Sequence, residues 1–260
     1  MSLNGSGSTK ERIVRRSNWI KIEEQPLSSE SLADLFSNRI PALRVRNFLS
    51  AQECERMVNV IQTQKIIDKE GYFRAVAGAR QLQSRFASEA GVDVLERVRQ
   101  TLQQVSGIPV RTATEGDREY FAGILRIINS SALIHADYAE YDAPSWEIGK
   151  IVAQITWNVL LKQVQGGESI VYDRHWRGKI DDETIKKPSP SYGYHPSAVE
   201  NEAFKVLQPV EGELTFFNSR NFHEVKALDK PHRESRYTMS SFVGLLPSSK
   251  ARGPKLIMWS

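Results

Sequence analysis

His135 and Asp137 stand two residues apart in a His-x-Asp element, answered far downstream by His223 and then by Arg236. On an extended strand side chains alternate with a period of two, so these two project to the same side. A second histidine from a facing strand completes a two-histidine, one-carboxylate face on a metal ion. That donor set leaves the opposite coordination positions open and is diagnostic of non-haem Fe(II) oxygenases. It needs neutral imidazoles and one carboxylate, whose charge partly offsets the divalent ion.

Four other histidines compete for the third position. His195 and His232 each adjoin a proline, which places them in turns or loops. His175 lies in the run Arg174-His175-Trp176-Arg177-Gly178. Only His223 combines a strand end, a downstream strand and a place late in a β-rich region. Beyond it, alternation through Ser235-Arg236-Tyr237-Thr238-Met239-Ser240-Ser241-Phe242 sets Arg236, Thr238, Ser240 and Phe242 on one face. A guanidinium pointing into a barrel is an uncompensated charge unless an anion meets it. Arginine clamps a carboxylate bidentately, and a hydroxyl two residues on adds a donor. Arg233 competes for that part, but it lies in the polar turn Pro231-His232-Arg233-Glu234.

The elements that must hold these residues are legible in outline. Ser50 followed by Glu53 forms a capping box, opening a helix with Cys54, Met57, Val58 and Ile61 on its apolar face. A second helix is expected over about 92–105, ended by Gly107-Ile108-Pro109. Strands are expected over 40–45, 120–128, 131–138, 151–161, 169–172, 204–207, 213–217 and 235–245, with Gln165-Gly166-Gly167 as a hairpin turn. So many strands separated by turn residues favour a sandwich or jelly roll over βαβ units. The segment 174–203 is long for a connection and is a candidate lid.

At 260 residues, 40% hydrophobic, the chain suffices for one large domain with a sizeable core. The expected organisation is an N-terminal tail (1–17), one domain (18–250) with helical support over about 50–107 and a β core over about 118–246, and a C-terminal tail (251–260). No run of about 18 apolar residues argues for a membrane span. The single cysteine, Cys54, and an N-terminus without a secretory apolar stretch lead us to expect a cytoplasmic protein. The net charge is +4, with Lys10, Arg12, Arg15 and Arg16 at one end and Lys250, Arg252 and Lys255 at the other. Without zinc-finger spacing or an RNA-recognition aromatic signature, these read as solvated ends rather than as a nucleic-acid surface.

Taken together, His135-x-Asp137, Gly166-Gly167-Glu168, Gly212-Glu213-Leu214-x-Phe216-x-Asn218, His223-x-Val225 and Arg236-x-Thr238 resemble the Fe(II)/2-oxoglutarate-dependent dioxygenase superfamily. The match covers roughly residues 118–246. The resemblance implies a double-stranded β-helix, a jelly roll braced by N-terminal helices. It also implies iron as metal, 2-oxoglutarate as co-substrate and O2 as oxidant. By motif position His135, Asp137 and His223 would ligate iron, while Arg236 and Thr238 would hold the distal carboxylate of 2-oxoglutarate. Ser106-Gly107-Ile108-Pro109-Val110 and Ile124-Leu125-Arg126 further resemble a branch containing small-molecule hydroxylases and free-standing aliphatic halogenases. Halogenases of that branch carry a small residue in place of the metal-binding carboxylate, which opens a position for chloride. Asp137 is retained here, so hydroxylation or a related oxidation is favoured over halogenation.

Further pocket candidates are Asn158 and Thr156, either of which suits the proximal carboxylate of 2-oxoglutarate. Arg126 suits the co-substrate or a structural carboxylate. Tyr138, Trp146, Trp157 and Trp176 are candidates to line a substrate pocket, and Arg174, Arg177 and His195 to meet an anionic substrate. The expected function is oxidation of an unactivated C–H bond in an amino acid derivative or natural-product intermediate, releasing succinate and CO2. The alternatives are a protein or nucleic-acid hydroxylase or demethylase, and a non-catalytic jelly-roll binding protein. The substrate and the oligomeric state are not legible.

Overall fold

The computed structural model describes residues 17–63, 76–188, 190–231, 233, 235–248 and 253–260. In chain order its elements are β1 (Gln25–Pro26), α1 (Ser29–Phe36), β2 (Ala42–Val45), α2 (Ala51–Thr63), α3 (Val76–Arg85), α4 (Val94–Ser106), β3 (Val110–Thr112), β4 (Thr114–Glu115), β5 (Arg118–Glu119), β6 (Ile124–Ile127) and β7 (Ala132–His135). There follow α5 (Ala139–Asp142), β8 (Ala153–Leu160), β9 (Ser169–His175), α6 (Lys179–Ile185), β10 (Phe204–Leu207), β11 (Leu214–Phe217), β12 (Asn221–Val225), β13 (Tyr237–Leu246) and β14 (Lys255–Trp259).

The larger sheet runs β1-β2-β11-β8-β13-β14-β3. Strand β13 shares one edge between β6, against Tyr237–Ser240, and β14, against Phe242–Leu246. The smaller sheet runs β10-β9-β12-β7. Two layers of mainly antiparallel strands with helices on one outer face form the jelly roll expected from the spacing of turns. Alternation sorts β8: Ile155, Trp157 and Val159 enter the core, while Thr156 and Asn158 face the space between the sheets.

The helices cover the outer face of the larger sheet. Leu35 of α1, Met57 of α2, Leu82 of α3 and Leu102 of α4 join Trp157, Phe216 and Val243 in the main core. Each such side chain, fully buried, contributes about 1.5–3 kcal/mol. The capping box is present in both directions: the Glu53 amide donates to Ser50 Oγ (3.2 Å) and the Ser50 amide to Glu53 Oε2 (2.8 Å). Asp93 caps α4, accepting from the Glu96 amide (2.9 Å), and Gly107 closes it.

Two expectations about the chain's organisation need correction. Of the expected tail 251–260, Lys255–Trp259 instead form β14, which pairs antiparallel with β13 and parallel with β3, burying Leu256, Ile257, Met258 and Trp259. The turn at Gln165-Gly166-Gly167 is not a hairpin, because β8 and β9 belong to different sheets and the chain crosses between layers there. Of the tail 1–17, only Ser17 lies among the described residues, and its hydroxyl donates to Asp173 Oδ2 (2.7 Å). The remainder, like His232, Lys250 and Arg252, lies outside them. Among the described residues no helix is long and apolar enough to cross a membrane.

The β14 assignment carries a direct test. Ile257 is fully buried, so Ile257→Ala is expected to cost about 2–5 kcal/mol in denaturant unfolding. An unchanged midpoint and slope would return this segment to the status of a tail.

Candidate metal centre

Strand β7 ends at His135, and the chain then turns so that the Asp137 amide donates to the Ser219 carbonyl (2.9 Å). The Asp137 carbonyl accepts from Gln154 Nε2 (3.1 Å) and Ser219 Oγ (3.3 Å). This fixes the backbone that carries the carboxylate. Across the sheet, β12 places His223 directly opposite His135. The Asp137 carboxylate lies 3.8 Å from His135 Nε2 and 3.6 Å from His223 Nε2. The imidazole centroids are 4.2 Å apart. One donor atom from each of the three residues falls within 4.8 Å of the others, a spacing one cation can bridge.

Both imidazoles are held in the tautomer a metal needs. His135 Nδ1 meets the Leu133 carbonyl at 2.6 Å, and His223 Nδ1 meets the Asn221 carbonyl at 2.9 Å. Each Nδ1 therefore carries its proton as donor, and each Nε2 lone pair points inward. Burial, reinforced by the adjacent His135, pulls the His223 imidazole down to about 4. It is neutral at physiological pH and ready to ligate. The ring of Phe217 packs edge-on against it, with centroids 5.0 Å apart.

These three residues line a cavity of about 510 Å³ between the two sheets. All four residues that alternation sets on one face line it: Arg236, just before β13, and Thr238, Ser240 and Phe242 on it. Arg236 is buried, makes no side-chain hydrogen bond or ion pair with any described residue, and leaves Nε unpartnered. Burial pulls its guanidinium down to about 10, with the charge of Glu168 opposing that shift. It remains a cation at neutral pH. Thr238 Oγ1 is likewise buried and unpartnered. Gly167 makes room for the arginine: a Cβ there would lie 3.1 Å from Arg236 Cδ, at a φ of +77° that side chains rarely adopt. Arg233 is exposed, so it is not the clamp.

The other candidates divide sharply. Asn158 and Thr156 both line the cavity, but the Thr156 hydroxyl is committed to the Ser241 carbonyl (3.2 Å). Arg126 also lines it, and its Nε donates to Ser240 Oγ (3.0 Å). No carboxylate of a described residue pairs with Arg126, so the structural-carboxylate alternative falls.

The proposed aromatic lining is elsewhere. Trp157 lies on the core side of β8, and Trp146 is half exposed against Tyr120 (5.9 Å). Tyr138 stacks under Arg220 (4.6 Å), and Trp176 donates to Asp182 (3.1 Å), both beside a separate pocket near Gly178. Arg174 and Arg177 pair with the fully buried Asp181 (2.9 and 2.8 Å), and exposed His195 caps a short turn through Ser197. None of these side chains lines the cavity that holds the three metal-ligand candidates, and Arg174, Arg177, Trp176 and His195 each have a partner in their own segment.

The segment 174–203 is correspondingly braced rather than loose. The Tyr194 amide donates to the Ile134 carbonyl (2.8 Å), docking the segment on β7. Gly193 permits this approach, since a Cβ there would lie 2.6 Å from Leu133 Cβ. The docking carries Tyr192 over the site, its hydroxyl accepting from the Leu133 amide (2.9 Å) and its ring edge-on to His135 at 5.7 Å. Tyr192 and Phe217 line the cavity and escaped the sequence reading. Alternation with Leu214 and Phe216, which enter the core, is the signal that could have found Phe217; for Tyr192 there was no local signal.

Comparison with known proteins agrees with this geometry. Residues 63–260 match the family model described as carrier-protein-independent halogenase WelO5. Over 205 residues the chain is 51% identical to the leucinostatins biosynthesis cluster protein S of Purpureocillium lilacinum, covering 78% of this chain and 84% of that protein. It is 30% identical over 171 residues to the L-gamma-glutamyl-L-propargylglycine hydroxylase of Streptantibioticus cattleyicolor, covering 65% of this chain and 59% of that protein. In fold it is similar to a crystal structure of an N-substituted L-amino acid dioxygenase from Burkholderia ambifaria AMMD. That likeness has a TM-score of 0.54 at 16% identity and covers 89% of this chain and 91% of the other. The match spans three quarters of the chain and includes both histidine strands, so this protein belongs to the carrier-protein-independent halogenase WelO5 family.

Proposed function

We propose that the protein is an Fe(II)- and 2-oxoglutarate-dependent oxygenase that oxidises an unactivated C–H bond of a small molecule, an amino acid derivative or natural-product intermediate. The observation that carries this is one cavity holding both a two-histidine, one-carboxylate donor face and a buried guanidinium with no counter-ion among the described residues. The residues fit the groups. Two neutral imidazoles and a carboxylate suit Fe(II) and leave one face open. The unpartnered Arg236 Nε and Thr238 Oγ1 want an anion that accepts hydrogen bonds from both.

Iron, 2-oxoglutarate and O2, when bound, supply the oxidant and yield succinate and CO2. The chain's own residues do the rest. His135, Asp137 and His223 hold the metal through Nε2 and carboxylate donors, oriented by the carbonyls of Leu133 and Asn221. Arg236 and Thr238 hold the far carboxylate of the co-substrate, and Asn158 offers its side-chain amide to the near one. Phe217 and Phe242 give an otherwise mostly polar lining an apolar surface for the substrate's carbon skeleton. Cys54, free and buried in the core, is consistent with a cytoplasmic enzyme.

Hydroxylation is favoured over halogenation because Asp137 fills the coordination position a halide would need. Turnover in excess chloride is therefore expected to give an oxygenated product with no chlorine, read by mass spectrometry; a chlorinated product would contradict the role given to Asp137. The function itself is tested by screening amino acid derivatives and biosynthetic scaffolds for compounds that stimulate iron-dependent succinate release. The expected hit gains an oxygen atom or loses two hydrogens. Succinate release indifferent to iron would defeat the reading.

A further inference from the structure

Two guanidinium groups enter the cavity, and the co-substrate accounts for only one. Arg126 lies on β6, paired in register with Thr238 of β13, so its side chain shares the inner face with Arg236, Thr238 and Ser240. Its Nε is held by Ser240 Oγ, which fixes the plane of the guanidinium, and no other described residue hydrogen-bonds or ion-pairs with the rest of the fork. The two arginines sit in different surroundings. Arg126 stands in the field of Asp137 and itself acts on His223, whereas Arg236 lies against Gly167 and in the field of Glu168. Arg126 is thus on the metal side and Arg236 at the far end.

Charge matching then leaves a remainder. Asp137 and the near carboxylate of 2-oxoglutarate offset a divalent metal, and the far carboxylate offsets Arg236. Among the described residues no other acidic side chain lines the cavity. The Arg126 charge stays unpaired with any carboxylate of a described residue in a partly buried space, which is costly unless an anion arrives.

We infer that Arg126 is the specificity-determining residue for substrate, anchoring a carboxylate of a small organic acid through its two free amino groups. The inference rests on the oxygenase reading above, because without the co-substrate both arginines would compete for one anion. A planar fork held at one corner suits bidentate carboxylate capture. The neighbouring walls suit the remainder of such a molecule. Ile127 and Phe242 offer apolar contact, while Ser130, Ser131 and Tyr192 at the exposed rim suit polar substituents.

The test uses whole protein loaded with Mn(II) and N-oxalylglycine, a pair that binds without turnover. Matched N-acetyl amino acids and their primary amides serve as probes in isothermal titration calorimetry. In the wild type at least one acid is expected to bind about tenfold or more tightly than its amide. Arg126→Gln should remove that preference, and Arg126→Lys should restore part of it. Over the same variants the affinity for 2-oxoglutarate, from anaerobic Fe(II) titration, should change by less than about threefold. Acids binding no better than amides in the wild type, or no pair binding, would overturn the inference. It is equally overturned if Arg126→Gln weakens 2-oxoglutarate binding as severely as Arg236→Gln, which would make Arg126 a co-substrate residue. Failure of the wild type to take up Mn(II) with N-oxalylglycine is a different result, and defeats the oxygenase reading itself.

Discussion

Asp137→Ala is expected to abolish turnover while leaving the fold intact. The carboxylate supplies the one negative donor on the metal-binding face, and without it two neutral imidazoles must hold a dication alone. Partners that merely orient metal ligands are worth about 10–100-fold in metal affinity, so loss of a ligand itself should exceed that range. The side chain is 38% exposed, and the turn is held by the backbone of Asp137 rather than its carboxylate. The circular dichroism and thermal midpoint should therefore stay near wild type while bound iron and succinate release are lost. His223→Ala should abolish turnover as completely, but its 7% exposed side chain packs on Phe217, so some stability goes with it. Retention of iron-dependent activity by Asp137→Ala would remove the carboxylate from the ligand set.

Arg236→Met is expected to move two observables in opposite directions. Alone, the protein should gain stability, because a buried cation with no counter-ion among the described residues is replaced by an apolar chain of similar length. Comparable replacements of buried ionic groups give about 1–4 kcal/mol. In the presence of co-substrate the order should reverse. A ligand at 100 times its dissociation constant stabilises a protein by about 2.7 kcal/mol, and the variant should lose that increment at concentrations that saturate the wild type. Thermal melts with Fe(II), with and without 2-oxoglutarate under anaerobic conditions, read both effects. A variant destabilised on its own, yet still stabilised by 2-oxoglutarate, would assign Arg236 a structural role and send the search for the clamp elsewhere.

The parts of this molecule legible in its sequence are those where a local period coincides with a tertiary role. Alternation on β13 gave the inward face of Arg236, Thr238, Ser240 and Phe242, and the His-x-Asp spacing gave the shared direction of His135 and Asp137. The Ser50–Glu53 box and the stripe on α4 were equally local. Strand β14 escaped because it is buried on both faces and joined by a parallel partner, so Leu256-Ile257-Met258-Trp259 shows no alternation to read. Turn residues at Gly166-Gly167 announce a reversal but not which sheet the next strand enters. The aromatic candidates failed for a different reason. Composition gives Trp146, Trp157 and Trp176 equal claims, and only packing sends one to the surface, one to the core and one to Asp182. Tyr192 reaches the site because its segment docks on β7, a contact without any short-range signature.

The most direct test of the metal and co-substrate assignment is an anaerobic titration of Fe(II)-loaded protein with 2-oxoglutarate, followed by visible absorption. If His135, Asp137 and His223 hold iron beside the Arg236 clamp, a weak charge-transfer band should grow to a one-to-one end point. It should be absent in Asp137→Ala and displaced to much higher 2-oxoglutarate in Arg236→Gln. Wild-type protein that shows neither the band nor any 2-oxoglutarate binding at saturating Fe(II) would contradict the assignment.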